Sequence, residues 1–82
     1  LAIHEIEVMP ERNRDYEVDK YLPGYFMIGD DGGGEAIVID EFGELFEVGM
    51  GIMDLTDLKK SAHSIDELLV NFSGKTLRER TE

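Results

Sequence analysis

The chain of 82 residues contains no cysteine. Disulfide staples and cysteine-ligated zinc are therefore excluded as sources of stability, and the composition suits a reducing cytoplasm. No apolar run approaches the roughly 18–20 residues of a membrane-spanning helix. The start of a secretory leader is also missing, because Glu5 and Glu7 stand where a basic cluster and an apolar block belong. Basic side chains are scarce: 8 Lys and Arg face 19 Asp and Glu, for a formal net charge of −11. Nucleic acid and anionic membranes are thereby disfavoured as partners, since phosphate binding needs cations that displace counterions. A basic protein is the partner that such a field attracts and steers. The same charge also serves solubility.

The shortage of bases is concentrated. From Tyr21 to Leu58 there is no Lys or Arg, while nine carboxylates occur: Asp30, Asp31, Glu35, Asp40, Glu41, Glu44, Glu47, Asp54 and Asp57. Within this stretch, Tyr25 to Gly29 and Glu35 to Asp40 read as strands around a tight loop of glycines and aspartates. Ile37 and Ile39 point to one face of the second strand, Ala36 and Val38 to the other, so that strand is expected in a covered, central position. Glu41-Phe-Gly-Glu44 reads as a hairpin connection turned by Gly43. Leu45 to Gly49 is a third strand, with Phe46 and Val48 on one side and Leu45 and Glu47 on the other. The fold class expected is α+β, an antiparallel meander of three to four strands packed with helices.

Around this centre the signals are shorter. Leu1 to His4 reads as an edge strand or the end of a longer element, and the start at Leu1 rather than Met predicts that an N-terminal segment precedes it. Glu7 to Tyr16 reads as a helix with Pro10 in its first turn and Arg12 and Arg14 near its C-terminal end. Lys20 to Gly24 reads as an extended connection. Met50 to Lys60 is irregular, with a turn or one helical turn at Asp54-Leu-Thr-Asp57. Ser64-Ile-Asp-Glu67 is a capping box: Ser64 accepts from the Glu67 N–H and Glu67 reaches back to Ser64. The helix it opens carries Ile65, Leu68, Leu69 and Phe72 as its apolar stripe and stops at Gly74. Residues 1–74 then form one domain, and residues 75–82 a charged tail, frayed or an exposed helical extension. A domain of this size buries only about 60–65% of its unfolded surface, so its stability margin is narrow.

The glycine loop resembles a phosphate cradle in its spacing but not in its chemistry. Asp30 and Asp31 repel phosphate, no Lys is present, and a strand rather than a helix follows. Calcium is a second possibility, since Asp30, Asp31 and Glu35 are hard oxygen donors, but the alternating acids of a calcium-binding helix–loop–helix are absent. The favoured reading is a hairpin loop whose aspartates accept backbone N–H groups. His4 lacks the second histidine of a zinc-protease helix, and His63 is expected to pack at a helix entrance. Ser61 and Ser64 have no glycine elbow. No carboxylate pair stands out for acid–base work. An enzyme is not expected, and no metal or cofactor is called for. Tyr16, Tyr21, Tyr25 and Phe26 are core residues by default and, where half exposed, interface anchors.

An ordered series of motifs resembles the SMI1/KNR4 family of the SUKH superfamily. It runs from Glu11-Arg-Asn13 and Tyr16 through Leu22-Pro-Gly-Tyr25 and Ile28-Gly-Asp-Asp-Gly-Gly-Gly-Glu35. Glu47-Val48 and Ala62-His-Ser-Ile-Asp-Glu-Leu-Leu69 complete it, the last with Ile65 where the family usually has Phe. The resemblance spans residues 5 to 72. It implies an α+β domain with a central antiparallel sheet and no shared catalytic site. Many bacterial members look like immunity proteins that block a cognate toxin, often a nuclease, while fungal relatives are linked to cell-wall regulation. The family's N-terminal helical region, with its Leu-Pro-x-x-(Tyr/Phe) motif, has no counterpart upstream of residue 5. Its absence predicts a sheet face left partly bare and association of the chain with itself, as in a homodimer.

These readings converge on a cytoplasmic, non-enzymatic binding protein that meets a basic partner, such as a cognate toxin, through its acidic sheet. Asp30, Asp31, Glu35, Asp40, Glu44 and Glu47 are the expected contacts. A regulatory scaffold domain of a larger protein and a small-ligand or metal-binding domain are the alternatives.

Overall fold

The computed structural model describes residues 1–51 and 53–81. Ile52, in the stretch read as irregular, and Glu82, at the end of the expected tail, lie outside the described residues. Five antiparallel strands follow one another in chain order across a single sheet: β1 (Ala2–Ile3), β2 (Tyr25–Asp30), β3 (Glu35–Asp40), β4 (Leu45–Gly49) and β5 (Lys59–Ala62). The α+β meander is as expected, with two strands more than its centre. Leu1 to His4 supplies an edge strand, and β5 emerges from sequence that carries no period-two apolar pattern, because Lys59 and Lys60 precede Ser61 and Ala62.

The register follows from the turns. Asp40 pairs with Tyr25, and Ala36 with both Asp30 and Val48. Between Met27 and Gly29 the β2–β3 register shifts, leaving Ile28 as the extra residue of a bulge. Met27 therefore joins Val18, Leu22, Ala36, Val38 and Val48 on one face, while Ile28 joins Ile37, Leu45, Ala62 and Leu68 on the other. β3 is covered on both sides, as its two apolar faces predicted. The expected bare sheet face is not found among the described residues. Each completely buried Leu or Val adds about 1.5–3 kcal/mol over an exposed one, so two covered faces suffice for a small domain.

One face is covered by α2 (Val18–Tyr21), a helical turn that takes in Lys20 and Tyr21 from the connection expected to be extended from Lys20 to Gly24. It follows α1 (Met9–Asp15), whose Pro10 sits in the first turn. Glu17 joins the two in a left-handed conformation, φ 52°. This reversal points Val18 and Leu22 inward, both fully buried. The Leu-Pro-Gly sequence suggested an extended path because a residue before proline avoids the helical region, and α2 ends just before it, with Leu22 at φ −130°.

The second face is closed by a helical segment with an unexpected pitch. Ser64 Oγ accepts the Glu67 N–H at 3.0 Å as the capping box requires, but Glu67 Oε1 accepts from the His63 N–H at 2.8 Å rather than from Ser64. Residues 67–71 form a π-helical turn. The wider turn keeps Leu68 buried and Ile65 and Phe72 against the core, but leaves Leu69 47% exposed, outside the expected stripe. Gly74, at φ +71°, ends it by donating to the Leu68 carbonyl. Beyond it Thr76 is fully buried, and of the two readings of the tail the helical extension is the one found: α3 (Leu77–Thr81), with no residue buried and with Arg78, Glu79 and Thr81 exposed. No described helix is long and apolar enough to cross a membrane.

Candidate functional site

Asp30 ends β2. Its Oδ2 lies 2.9 Å from His4 Nε2 and its Oδ1 accepts the Gly32 N–H at 2.9 Å. The hydrogen bond with His4, and secondarily the Gly32 N–H, hold its carboxyl below the usual carboxylate range. Asp31 is buried, and its Oδ1 accepts the N–H groups of Gly33 (2.7 Å) and Glu35 (3.0 Å). Gly32 and Gly34, at φ +78° and +101°, take the turn that a side chain would strain. The loop is thus the hairpin read from the sequence, with its aspartates turned onto its own backbone.

Asp40 does the same at the next turn, where its Oδ1 accepts from Phe42 and Glu44, both at 2.9 Å. Glu35 Oε1 receives Lys59 Nζ at 3.2 Å. Glu44 pairs with Lys60 and lies 3.4 Å from His63 Nδ1; the Lys60 ammonium above all holds its carboxyl below the ordinary range. His63 itself is exposed rather than packed at the helix entrance.

Glu47 departs furthest from expectation. It is 2% exposed, so in this fold it presents no carboxylate to an outside partner. Its Oε2 accepts the Ser61 hydroxyl at 2.7 Å and the Leu77 N–H at 2.9 Å. Arg80 Nη2 lies 3.9 Å from that oxygen and donates to Ser61 Oγ at 2.7 Å, while its guanidinium stacks 4.0 Å from the Phe72 ring centre. A buried carboxylate requires such partners.

The six candidates therefore do not form one open acidic surface. Asp31, Glu35 and Glu47 come together along a cleft of about 320 Å³ by Gly33, Lys59 and Arg78, where both signs of charge are present. Asp40 and Glu44 sit at the opposite end of β3 and β4. A stretch without bases in sequence is supplied with Lys59 and Lys60 by β5 and with Arg80 by α3. Among the described residues no group of three or more His, Asp and Glu side chains is placed to hold a metal ion.

Other carboxylates are exposed outside the ion pairs among the described residues, including Glu41, Asp54, Asp57 and Asp66 and a group at the N-terminal end. Glu5, Glu7, Glu11, Asp15 and Asp19 are exposed, whereas the ion pairs among the described residues involve Glu17, Asp30, Glu35, Glu44, Glu47 and Glu79. A groove of about 380 Å³ is lined by Tyr16, Tyr21, Met50, Gly51, Met53 and Asp54. Its signal in the sequence was the run of aromatics before β2. Those aromatics divide: Tyr25 packs edge-on against Phe46, centroids 5.5 Å apart, whereas Tyr16 and Tyr21 stay 36% and 46% exposed. No family model and no curated protein matches the chain.

Proposed function

We propose that this protein is a cytoplasmic, non-enzymatic binding domain for a basic protein, and that it serves as an immunity protein neutralising a cognate bacterial toxin. The observation that carries the reading is the placement of free charge. Glu5, Glu7, Glu11, Asp15 and Asp19 stand exposed and outside the ion pairs among the described residues on the segment around α1 and α2, where they outnumber the exposed Arg12 and Arg14, within a chain of net charge −11. Such a surface accelerates the encounter with a cationic protein and discriminates against nucleic acid. The motif series that resembles the SMI1/KNR4 family supports the immunity role, since nuclease toxins carry basic faces where they meet nucleic acid.

The contact surface moves accordingly from the sheet to the N-terminal helices. The test is capture of the product of the adjacent gene by the immobilised protein at low salt, repeated at about 0.5 M salt, where screening shortens to a few ångströms. Binding that weakens with salt, and weakens again when Glu7, Glu11 and Asp15 are changed to Gln and Asn, is expected. No capture at low salt would remove the immunity reading.

A further inference from the structure

We infer that the groove between α2 and the end of β4 is the seat for one guanidinium or ammonium side chain of the basic protein partner, an inference that rests on the reading above. The groove has the chemistry a cation needs, and the described residues that line it carry no base of their own. Its walls are the half-exposed rings of Tyr16 and Tyr21 and the side chains of Met50 and Met53, and Asp54 is the acid in its lining.

Each part has a structural cause. Tyr16 caps α1 and Glu17 reverses the chain, so Val18 and Leu22 enter the core while Tyr21 is left outside. Asp54 uses one oxygen only: its Oδ1 accepts the Thr56 N–H and hydroxyl, both at 2.9 Å. Those bonds, the backbone one first, keep its carboxyl below the usual range and hence ionised. An aromatic face attracts a cation through its negative quadrupole, and a nearby carboxylate adds direct attraction. Lys20 Nζ lies 5.3 Å from the centre of the Tyr21 ring and is paired with Glu17 at 3.5 Å, so an incoming cation shares that ring with a lysine whose charge Glu17 offsets. The volume of about 380 Å³ accommodates one long side chain with its apolar stem along Met50 and Met53. None of the six carboxylates singled out in the sequence is in the lining of this aromatic groove, and Asp30, Glu35, Glu44 and Glu47 already have basic partners in the chain.

The probe is a short oligoarginine peptide titrated into the isotope-labelled protein, followed by amide chemical shifts, with the neutral oligocitrulline peptide as control. Shifts centred on Tyr16, Tyr21, Met50 and Asp54 are expected, and none with citrulline. Tyr21→Leu keeps an apolar wall and Asp54→Asn keeps the Thr56 cap; each should weaken binding about threefold, and together about tenfold. Both positions are exposed, so unchanged melting temperatures verify that the fold is intact. Binding that centres on other carboxylates, or that the double variant leaves unchanged, overturns the groove while the basic-partner reading stands. Binding of neither peptide at low salt overturns both.

Discussion

The Glu47 carboxylate accepts the main-chain N–H of Leu77 at 2.9 Å across a separation of 30 residues. One side chain of β4 thereby ties the C-terminal helix to the sheet, with Ser61 and Arg80 as its other partners. Removing it leaves the part-buried Leu77 N–H and the buried Ser61 hydroxyl without their acceptor, and the Arg80 guanidinium without its nearby carboxylate. Glu47→Ala should lower unfolding free energy in urea by about 3–5 kcal/mol, and Glu47→Gln, which keeps an acceptor, by less. Hydrogen exchange at Leu77 should accelerate in both. A loss for the alanine variant under about 1 kcal/mol would contradict the assigned role.

Asn13 acts as a short substitute for a strand. Its amide accepts the Met27 N–H at 2.6 Å and donates to the carbonyls of Met27 (2.9 Å) and Met9 (2.8 Å). β1 spans only Ala2–Ile3, so Asn13 takes over the β2 edge where β1 ends. Asn13→Ala should cost about 2 kcal/mol, from a backbone donor left unpaired at the edge. Asn13→Asp should cost a similar amount, because the carboxylate cannot donate. Amide exchange at Met27 is the direct readout.

Two glycines should differ in their response to alanine. A Cβ on Gly29 would collide with the backbone carbonyl of Ala2, which cannot withdraw without unpairing β1. A Cβ on Gly33 would meet the Arg78 guanidinium, the far end of a flexible side chain. Gly29→Ala should destabilise by about 2 kcal/mol or more and free the N-terminal strand, while Gly33→Ala should stay within about 1 kcal/mol. Thermal denaturation of the two variants separates the cases; equal losses would refute the distinction.

Asp30 makes acid stability testable. Its carboxyl is held below its unfolded value chiefly by the bond to His4. A group depressed in the folded state binds fewer protons there than in the unfolded chain, so folding is favoured at higher pH. Its contribution is complete above the unfolded carboxylate pKa of about 3.9 and disappears as pH falls through the lower folded value. Asp30→Asn should therefore melt below the native protein at pH about 6 and converge with it near pH about 2. A constant difference across that range would show that the charge is not the cause.

Much of this was legible in the chain itself. The β2–β3–β4 meander was readable because its instructions are local. Apolar residues occupy both faces of β3, and Gly32, Gly34 and Gly43 mark the turns with positive φ. The inward turn of Asp30, Asp31 and Asp40 is equally local, since each bonds N–H groups two to four residues ahead. β5 was illegible because a strand whose first residues are lysines shows its character only when paired. The π-helical turn was hidden for a similar reason, since spacings of three and four read as an ordinary helix until Leu68 and Phe72 meet the sheet.

Charge was the property most changed by folding. The sequence by itself determined a net charge of −11 and a long stretch without bases. Only the tertiary structure decided which carboxylates remain free. Pairing β4 with β5 sets Lys59 and Lys60 against Glu35 and Glu44, and docking α3 brings Arg80 to Glu47. Electrostatic attraction depends on distance through space, not along the chain. A base-free segment is therefore compensated in part by residues beyond it, at Glu35, Glu44 and Glu47, while Glu41, Asp54 and Asp57 of the same segment stay exposed outside the ion pairs among the described residues, as do the acids around α1 and α2.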